Sequence, residues 1–474
     1  MLATLIQKEL KGIIQSPKFV GSFAVCSILI LLSIFTGIRE YQASVRQDEA
    51  ASQLVSEELR QAAQWDGLTT RTYRTPDPMN IFVSGLNYDI GRWSTMSADE
   101  GVKLRHSAYS DDPIFAVFRI VDFTFIVMFV LSLMALQFTF DAVNGERETG
   151  TLKLVFSNSV PRAKYLFAKC AGSWLGLVVP LGIPILIGLL MVIGAGVPLT
   201  AAHWMKIGVL IGLSLLLFTL FILLGVFVSA VTRRSSVSFL LALLIWVTFV
   251  MIIPRSGVMA AGGLVDVPRT SEIEAQREAF STEKWTDYVN TITEQGAGGH
   301  FEFKADQQDS MKLAMEKEIE AYDARLREDY RQRKIRQESV AWSLARLSPA
   351  SAYQLAAMSL AGTDTNAKAR SEDAMTQYRT QFNEYVAAKK EEAGESGGIR
   401  ISVTQDSDGN SSLKIDASRG QEGINTSDMP PYQAPNINLA EAIGPAVVDF
   451  GILGFDILFV FAAAFVAFLK YDLR

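Results

Sequence analysis

Cysteine and histidine are scarce in this chain of 474 residues, which has two cysteines and three histidines. Cys26 and Cys170 both lie in or beside apolar blocks, so no disulfide framework can staple a domain outside those blocks. The histidines, His106, His203 and His300, lie far apart in the sequence. These numbers argue against a zinc ribbon or a multi-histidine cage. We therefore expect no metal site and no cofactor bound by this chain.

The chain also lacks the residue patterns of several enzyme classes. No Gly-x-x-x-x-Gly-Lys-[Ser/Thr] sequence occurs, so the chain cannot bind ATP through a phosphate-binding loop of its own. No Ser/His/Asp or Cys/His arrangement stands out, which argues against a hydrolase. The formal net charge is −6, and we expect no nucleic-acid partner. The sequence predicts no catalytic residue.

Apolar residues are abundant and unevenly distributed. They make up 49% of the chain, and the mean hydropathy is +0.21. They collect in blocks of about 20 residues, the length that a helix needs to cross the hydrocarbon core of a bilayer. This pattern argues against a soluble globular enzyme, a disordered protein and a fibrous protein. The six predicted spans are 19–38, 121–140, 171–193, 207–231, 236–253 and 447–469.

The basic residues of the short loops predict the orientation of these spans. The segments before the first span, between the second and third, between the fourth and fifth, and after the sixth together carry twelve Lys and Arg residues and five Asp and Glu residues. Short loops rich in Lys and Arg stay in the cytoplasm. On the opposite side, the only short loop, 194–206, has Lys206 as its single basic residue. We therefore expect both termini in the cytoplasm.

Two long inserts lie on the predicted external side, at 39–114 and 254–446. The second insert shows helical spacing of apolar residues in 270–292, 306–347 and 366–393. Alternation in 399–404 and 412–417, around Asp408-Gly409-Asn410, predicts a β-hairpin. The predicted fold is an α-helical multi-pass membrane protein with six transmembrane helices and a mainly helical external domain that carries a small β-hairpin.

The helices of the second insert allow two interpretations. They can form a solvated helical hairpin that holds itself together, or they can offer a docking surface to an external protein. Their alternating charges do not by themselves favour docking. Long exposed helices need tertiary contacts, because isolated helices are marginal in water. We expect the insert to depend on contacts with 39–114 or with a second chain.

The most informative segment, 146–158, follows the second span on the cytoplasmic side. It has an acidic start, a Gly-Thr pair and an apolar stripe, and a Pro-Arg pair follows it. The stripe of Leu152, Val155 and Phe156 can face a groove on another protein, or it can belong to an interfacial helix without a partner. The residues that carry the pattern are Glu146, Arg147, Glu148, Gly150, Thr151, Leu152, Val155, Phe156, Pro161 and Arg162.

This segment resembles the coupling-helix signature of ABC-2-type transporter permeases, written Glu-Arg-Glu-x-Gly-Thr-Leu…Ser…Pro-Arg. Lys8-Glu9-Leu10 is similar to the amphipathic helix that precedes the first span in that family. Six spans with both termini inside also match. The stretches at 347–351 and 468–474 are similar to a bacterial subgroup with a long external insert before the last span. That subgroup is related to the permease of multicopper-enzyme (nitrous-oxide reductase) maturation systems.

The resemblance implies the membrane permease subunit of an ATP-driven exporter in the bacterial plasma (inner) membrane. Two cytoplasmic ABC ATPase subunits would bind ATP and Mg, and would dock on the coupling helix. A second permease chain, identical or a paralogue, would complete the pair within the lipid bilayer. The domains are then 1–38 (amphipathic helix and first span), 39–114 (external loop), 115–253 (spans two to five with the coupling helix), 254–446 (external domain) and 447–474 (sixth span and tail).

Two other functions are compatible with parts of the sequence. The complex could pass ATP-driven force to a periplasmic or other external protein through 254–446 instead of moving a substrate. An intramembrane aspartyl enzyme is disfavoured, because Asp449 and Asp456 belong to one predicted span and no matching Asp motif occurs on another.

The amphipathic helix before the first span carries a carboxylate in its apolar half. Leu2, Ile6 and Ile13 belong to that half, and the lysines cluster on the other. Glu9 falls among the apolar positions. It can reach outward to water, or it can form an ion pair with an arginine of the coupling segment, Arg147 or Arg162.

Four charged residues lie within or at the ends of the predicted spans. Asp456 is about 13 Å deep in the sixth span at ~1.5 Å per residue, where an unpaired charge is costly. We therefore expect it to face the protein interior. Arg119 and Asp122 are three residues apart and can meet on one helix face. Together with Asp449 they can form a polar lock between helices or line a substrate route.

Overall fold

The protein is described here from a computed structural model. The described residues are all except 1, 63–64, 66–67, 88–90, 98–101, 103–120, 159, 297–304, 394–399, 406–410, 417–425, 427, 436–437 and 471–474. The chain forms two compact units. The first comprises Met1–Trp246 and Ala352–Arg474, and the second comprises Val247–Ser351.

The chain begins with two helices, α1 (Leu2–Ile14) and α2 (Pro17–Gln61). Ser16 starts α2, because its hydroxyl accepts a hydrogen bond from the Phe19 amide at 3.2 Å and Pro17 occupies the first turn. At ~1.5 Å per residue, α2 is about 67 Å long. It therefore extends well past the predicted first span, and residues 39–61 of the predicted external loop are helical.

A small antiparallel ribbon follows α2. Its strands are β1 (Thr70–Tyr73) and β2 (Trp93–Met96), and the 3₁₀ turn Pro78–Ile81 lies between them. Tyr73 pairs with Trp93, and Thr70 pairs with Met96. The sequence analysis missed this ribbon, because a long connection joins its strands and no tight-turn signal marks it.

The next part of the chain runs from the second span to the fourth. It contains α3 (Phe123–Phe125), a π-helical stretch (Ile126–Leu131), α4 (Ser132–Thr139), α5 (Asn144–Glu148), α6 (Thr151–Ser157), α7 (Arg162–Gly194) and α8 (Ala201–Val231). α8 is apolar on every side, as expected for the central helix of a membrane bundle. It packs against α4, where an added Cβ at Gly225 would lie only 2.9 Å from the Cβ of Thr139.

The remaining elements are α9 (Ser235–Val247), a π-helical stretch (Thr248–Ile252), α10 (Ile253–Leu264), α11 (Thr270–Gly296), α12 (Ala305–Ala345), α13 (Pro349–Ala361), α14 (Thr365–Ala393), β3 (Arg400–Gln405), β4 (Ser411–Asp416) and α15 (Leu439–Leu469). Within the described residues, six helices are long and apolar enough to cross a membrane: Pro17–Gln61, Phe123–Glu148, Arg162–Gly194, Ala201–Val231, Ser235–Leu264 and Leu439–Leu469. The predicted helical membrane fold is confirmed.

The predicted external domain 254–446 is divided between the two units. α13, which the sequence analysis missed, is almost entirely buried. The Tyr353 hydroxyl lies 3.1 Å from that of Ser214 on α8, and the Ser359 hydroxyl donates to the Ala442 carbonyl on α15 at 3.0 Å. Small residues dominate α13, so it can approach its neighbours closely. The part of α13 from Ala352 onward therefore packs on membrane helices of the first unit.

α14 packs against the ribbon of the first insert. Met96 on β2 forms a buried cluster with Met375, Tyr378 and Phe382 of α14. The Arg379 guanidinium donates a hydrogen bond to the Ser97 carbonyl at 2.8 Å. The expected contact between the two inserts is therefore present.

The predicted β-hairpin near the end of the second insert is confirmed. β3 and β4 are antiparallel, with Ile401 opposite Ile415 and Val403 opposite Leu413. The predicted turn, Asp408-Gly409-Asn410, lies outside the described residues.

The second unit contains the predicted helical hairpin of α11 and α12. The rings of Phe280 and Tyr322 stack with their centroids 4.0 Å apart, and Lys284 pairs with Glu318 at 2.7 Å. α10 packs closely on α12, where an added Cβ at Gly257 would lie 3.0 Å from the backbone of α12. α10 continues the fifth membrane helix, which therefore extends to Leu264.

Candidate coupling site after the second span

The segment predicted as one coupling helix, 146–158, forms two short helices. α5 ends at Glu148 and α6 begins at Thr151. Gly150 lies between them with φ of +76°, a left-handed conformation that favours glycine. The Thr149 hydroxyl donates to the Gly145 carbonyl at 3.0 Å and helps to close α5. The acidic residues therefore belong to α5, and the apolar stripe belongs to α6.

α5 is fixed to the corner between α8 and α9. The Ser229 hydroxyl accepts hydrogen bonds from the backbone amides of Val143 and Asn144, at 2.9 and 3.1 Å. The buried Asn144 side chain donates to the Thr232 hydroxyl at 2.9 Å and accepts from the Ser235 hydroxyl at 3.3 Å. These bonds replace the water that both peptide groups would otherwise need, so α5 cannot move independently of this corner.

Glu148 adds a second attachment to the same corner. Its carboxylate accepts from the Ser235 amide at 2.9 Å and from the Ser235 hydroxyl at 2.8 Å. Ser235 is the first residue of α9, and a carboxylate is favourable at a helix N-terminus. Glu148 therefore caps the fifth membrane helix, a role that its position in the sequence did not reveal.

Glu146 lies in an ion cluster with α1 and α7. Its carboxylate contacts the ammonium groups of Lys8 at 2.5 Å and Lys169 at 2.9 Å, and accepts from the Tyr165 hydroxyl at 2.6 Å. Lys169 also pairs with Glu9 at 2.8 Å. We call Lys8, Glu9, Glu146, Tyr165 and Lys169 the ion cluster. It joins α5 to the amphipathic helix and to the first turns of the third span.

The ion cluster corrects the predicted partner of Glu9. The sequence analysis offered Arg147 or Arg162, whereas the structure pairs Glu9 with Lys169, which is 5% exposed. Lys169 lies just before the predicted third span and four residues after Tyr165, on the same helix face. The sequence did show a lysine at the edge of a predicted span, one turn after a tyrosine. It did not show that this lysine contacts α1.

α1 lies directly against α7. An added Cβ at Gly172 would be 2.6 Å from the Glu9 Cβ and 3.3 Å from the Ile6 carbonyl oxygen. An added Cβ at Gly176 would be 3.4 Å from the Ile13 side chain. The contacts advance along both helices in the same direction, so α1 runs alongside the start of α7. Part of the apolar half of α1 therefore packs on protein.

The apolar stripe of α6 faces the core of its own chain. Leu152 is 2% exposed, in a cluster with residues of α7, α8 and α15. Phe156 packs against both Tyr165 and Phe468, with ring centroids at 5.3 and 6.1 Å, and Val155 is partly buried against the same cluster. The prediction that the stripe faces a groove on another protein is therefore wrong. The stripe fills the apolar hollow where α7 begins and α15 ends.

The opposite side of α6 is exposed. Thr151, Lys153 and Ser157 are exposed, as is Gly150 before the helix, and Leu154 is 66% exposed. We call Gly150, Thr151, Lys153, Leu154 and Ser157 the docking face. Leu154 is its single large apolar side chain, and the sequence analysis did not select it.

Pro161 and Arg162 begin the third span. Pro161 precedes the first helical residue of α7 with φ of −60°. The Arg162 guanidinium donates to the carbonyl of Leu469 on α15. Arg147, on α5, is half-buried. Arg162 therefore ties the start of the third span to the end of the sixth.

Asp122 caps the second span. Its carboxylate accepts from the Phe125 amide at 2.8 Å, the Thr124 hydroxyl at 2.7 Å and the Ser84 amide at 2.9 Å. Its predicted partner Arg119 lies outside the described residues. These bonds give Asp122 a structural role, at the start of a helix and in contact with the first insert.

The two aspartates of α15 have different surroundings. Asp449 is 1% exposed, whereas Asp456 is only half-buried within this chain. The expectation that Asp456 faces the protein interior therefore stays a prediction. Among the described residues, no group of three His, Cys, Asp or Glu side chains could hold a metal ion.

Comparison with known proteins bears on the whole chain. The family model described as ABC-2 family transporter protein matches residues 3–473. No curated protein matches the sequence. The family match includes the six membrane helices, both inserts and the segment from α5 to α7.

Proposed function

Because the chain belongs to the ABC-2 transporter family and is a membrane permease subunit of an ABC transporter, we propose that it works as half of an ATP-driven exporter. The second half is another copy of the chain or a paralogue. Two separate cytoplasmic ABC ATPase subunits bind ATP and Mg and dock on the docking face. The complex lies in a bacterial inner membrane with both termini of this chain in the cytoplasm.

The attachments of α5 and α6 carry this proposal. Ser229 and Glu148 connect α5 to the corner between the fourth and fifth membrane helices, and Glu146 connects it to α1 and α7. Leu152 connects α6 to the ends of the third and sixth membrane helices. A force applied to α5 and α6 is therefore transmitted to most of the membrane helices. An ATPase that moves a permease requires such a connection.

The docking face supplies the surface for such a push. Leu154 is largely exposed next to Lys153 and the small residues Gly150 and Thr151. A single exposed leucine among small and charged residues can be buried in a shallow apolar pocket on a partner. Burial of this side chain would contribute about 2 kcal/mol to binding.

The sixth span is the proposed contact with the second permease chain. Phe455, Leu458 and Phe459 are all more than 60% exposed within this chain, and Asp456 lies among them. A carboxylate at this depth costs several kcal/mol unless it is paired or hydrated. A second chain or a hydrated route between two chains would meet that requirement. The relationship to the nitrous-oxide reductase subgroup remains a prediction.

The test is binding of the ATPase to two matched variants. Leu154 and Leu54 are both 66% exposed and both lie on helices, but Leu54 belongs to the outer half of α2. The permease is expressed with a candidate P-loop ABC ATPase from the same genome and is purified through a tag on the permease. We expect Leu154→Asp to lower the amount of co-purified ATPase at least ten-fold and Leu54→Asp to leave it unchanged.

Both variants should reach the membrane at the level of the unmodified protein, because neither side chain is part of the core. Equal recovery of the ATPase with Leu154→Asp and with the unmodified chain would refute the docking face. Equal loss with both variants would show a general defect and would also count against it.

A further inference from the structure

A groove opens between α1, α7 and α15. Its volume is about 350 Å³, within the range of small-molecule sites. Its walls are apolar except for one ammonium group. The lining residues are Leu2, Ala163, Lys164, Phe167, Phe461 and Phe465.

The groove has a cationic end. Lys164 lines it, and Arg162 lies two residues before, at the start of α7. The Arg162 guanidinium donates to the Leu469 carbonyl, and the next residue is the exposed Lys470. Lys164 therefore supplies the positive charge of the groove itself, and Arg162 and Lys470 belong to the same ends of α7 and α15. Asp472 lies outside the described residues. This corner attracts a negative charge.

The other end of the groove runs along the membrane helices. Phe167 is one turn deeper in the third span than Lys164, and Phe461 is one turn deeper in the sixth span than Phe465. Phe167 is 50% exposed although it belongs to a membrane helix. The groove therefore presents charge at the membrane surface and aromatic carbon below it, the division that an amphiphile with an anionic head requires.

We propose that this groove binds one anionic phospholipid from the leaflet on the docking-face side. Its phosphate lies against Lys164, with Arg162 and Lys470 nearby, and one acyl chain lies along Phe167 and Phe461. The charge at the mouth selects an anionic head group over a zwitterionic one. The bound lipid would join α1, α7 and α15. Of these helices, α1 and α7 also meet at the ion cluster, and α7 and α15 also meet at Leu152.

The test is lipid retention by the purified full-length protein. The protein is delipidated in detergent, mixed with equal amounts of phosphatidylglycerol and phosphatidylcholine of the same chains, and analysed by native mass spectrometry. We expect phosphatidylglycerol adducts to exceed phosphatidylcholine adducts several-fold. Lys164→Gln should lower the phosphatidylglycerol adduct about five-fold, the effect of one cation near a lipid surface.

Two further variants separate the head group from the chain. Phe167→Ala should weaken retention of both lipids, because it removes apolar wall and no charge. Lys153→Gln, an exposed lysine of the docking face outside the groove, should leave retention unchanged. Melting temperatures of all variants should match that of the unmodified protein, since each altered side chain is exposed.

Either of two results would overturn the proposal. One is equal retention of both lipids, or unchanged phosphatidylglycerol retention by Lys164→Gln. The other is disulfide cross-linking of two chains in native membranes through Phe167→Cys, which would show that a second copy covers the groove. Neither result depends on whether an ATPase binds the docking face, so the proposal and the proposed function can fail separately.

Discussion

The carboxylate of Glu146 lies 2.9 Å from the ammonium of Lys169, and this contact joins α5 to the third membrane helix. Lys169 is shared with Glu9 of α1 at 2.8 Å. The Lys169 side chain is 5% exposed, and those of Glu146 and Glu9 are 13% and 15% exposed. One lysine therefore holds three helices together in a nearly buried site, where charges interact more strongly than at the surface.

Lys169→Met should destabilise the protein, because it leaves the carboxylates of Glu9 and Glu146 close together with Lys8 as the one remaining cation of the ion cluster. We expect the free energy of unfolding to fall by about 2 to 3 kcal/mol. This loss is smaller than that for a fully buried ion pair, because Lys8 opens the ion cluster to solvent. The measurement is the thermal melting of the detergent-solubilised protein. Lys153→Met, at an exposed position one helix away, is the control and should melt normally. A normal melt of Lys169→Met would show that the ion cluster is not structural.

Leu152 and Leu154 are two residues apart on α6 and point in opposite directions. Leu152→Ala removes carbon from a packed core and should cost about 3 kcal/mol. Leu154→Ala should change stability by no more than about 0.5 kcal/mol, because the side chain is exposed. Melting curves of the two variants in the same detergent provide the comparison. If Leu154→Ala were the more destabilising, the assigned direction of α6 would be reversed.

The sequence predicted the membrane helices because the thickness of a bilayer fixes their length, and no tertiary information is needed to recognise an apolar block of that length. It also singled out the segment 146–158, whose coupling role stays a prediction. It did not reveal which protein the stripe of Leu152 faces, since an amphipathic pattern identifies the apolar side of a helix but not what covers that side.

Other differences had readable signals. Gly150 follows Thr149 at the end of α5, and glycine is frequent just after a helix end, so the break was predictable. Pro349 opens α13, a favourable position for proline, and a run of small residues follows. In contrast, the pairing of Glu9 with Lys169 joins residues far apart in the sequence. Such a contact depends on how α1 lies on α7, which local patterns do not determine.

The orientation of the chain can be tested with the same two leucines that test docking. Leu54→Cys and Leu154→Cys place thiols at equally exposed positions, whereas the native Cys26 and Cys170 are buried. In intact cells, a membrane-impermeant maleimide should label Leu54→Cys and not Leu154→Cys. After lysis it should label both. The reverse pattern in intact cells would place the docking face outside and would remove the basis for an ATPase partner there.

Gly172 sets the distance between α1 and α7, and its replacement tests whether the ion cluster needs that close approach. Gly172→Ala introduces a methyl group 2.6 Å from the Glu9 Cβ, so α1 must shift away and the contact of Glu9 with Lys169 must lengthen. Overpacking of this kind costs about 1 to 3 kcal/mol. Gly182→Ala is the matched control, because Gly182 lies on the same helix and an added Cβ there meets nothing within 4 Å. The melting temperature of Gly172→Ala should fall and that of Gly182→Ala should not.

Combining Gly172→Ala with Lys169→Met should cost less than the sum of the two losses, since both act on the same contact. Fully additive losses would mean that Gly172 supports α1 independently of the ion cluster.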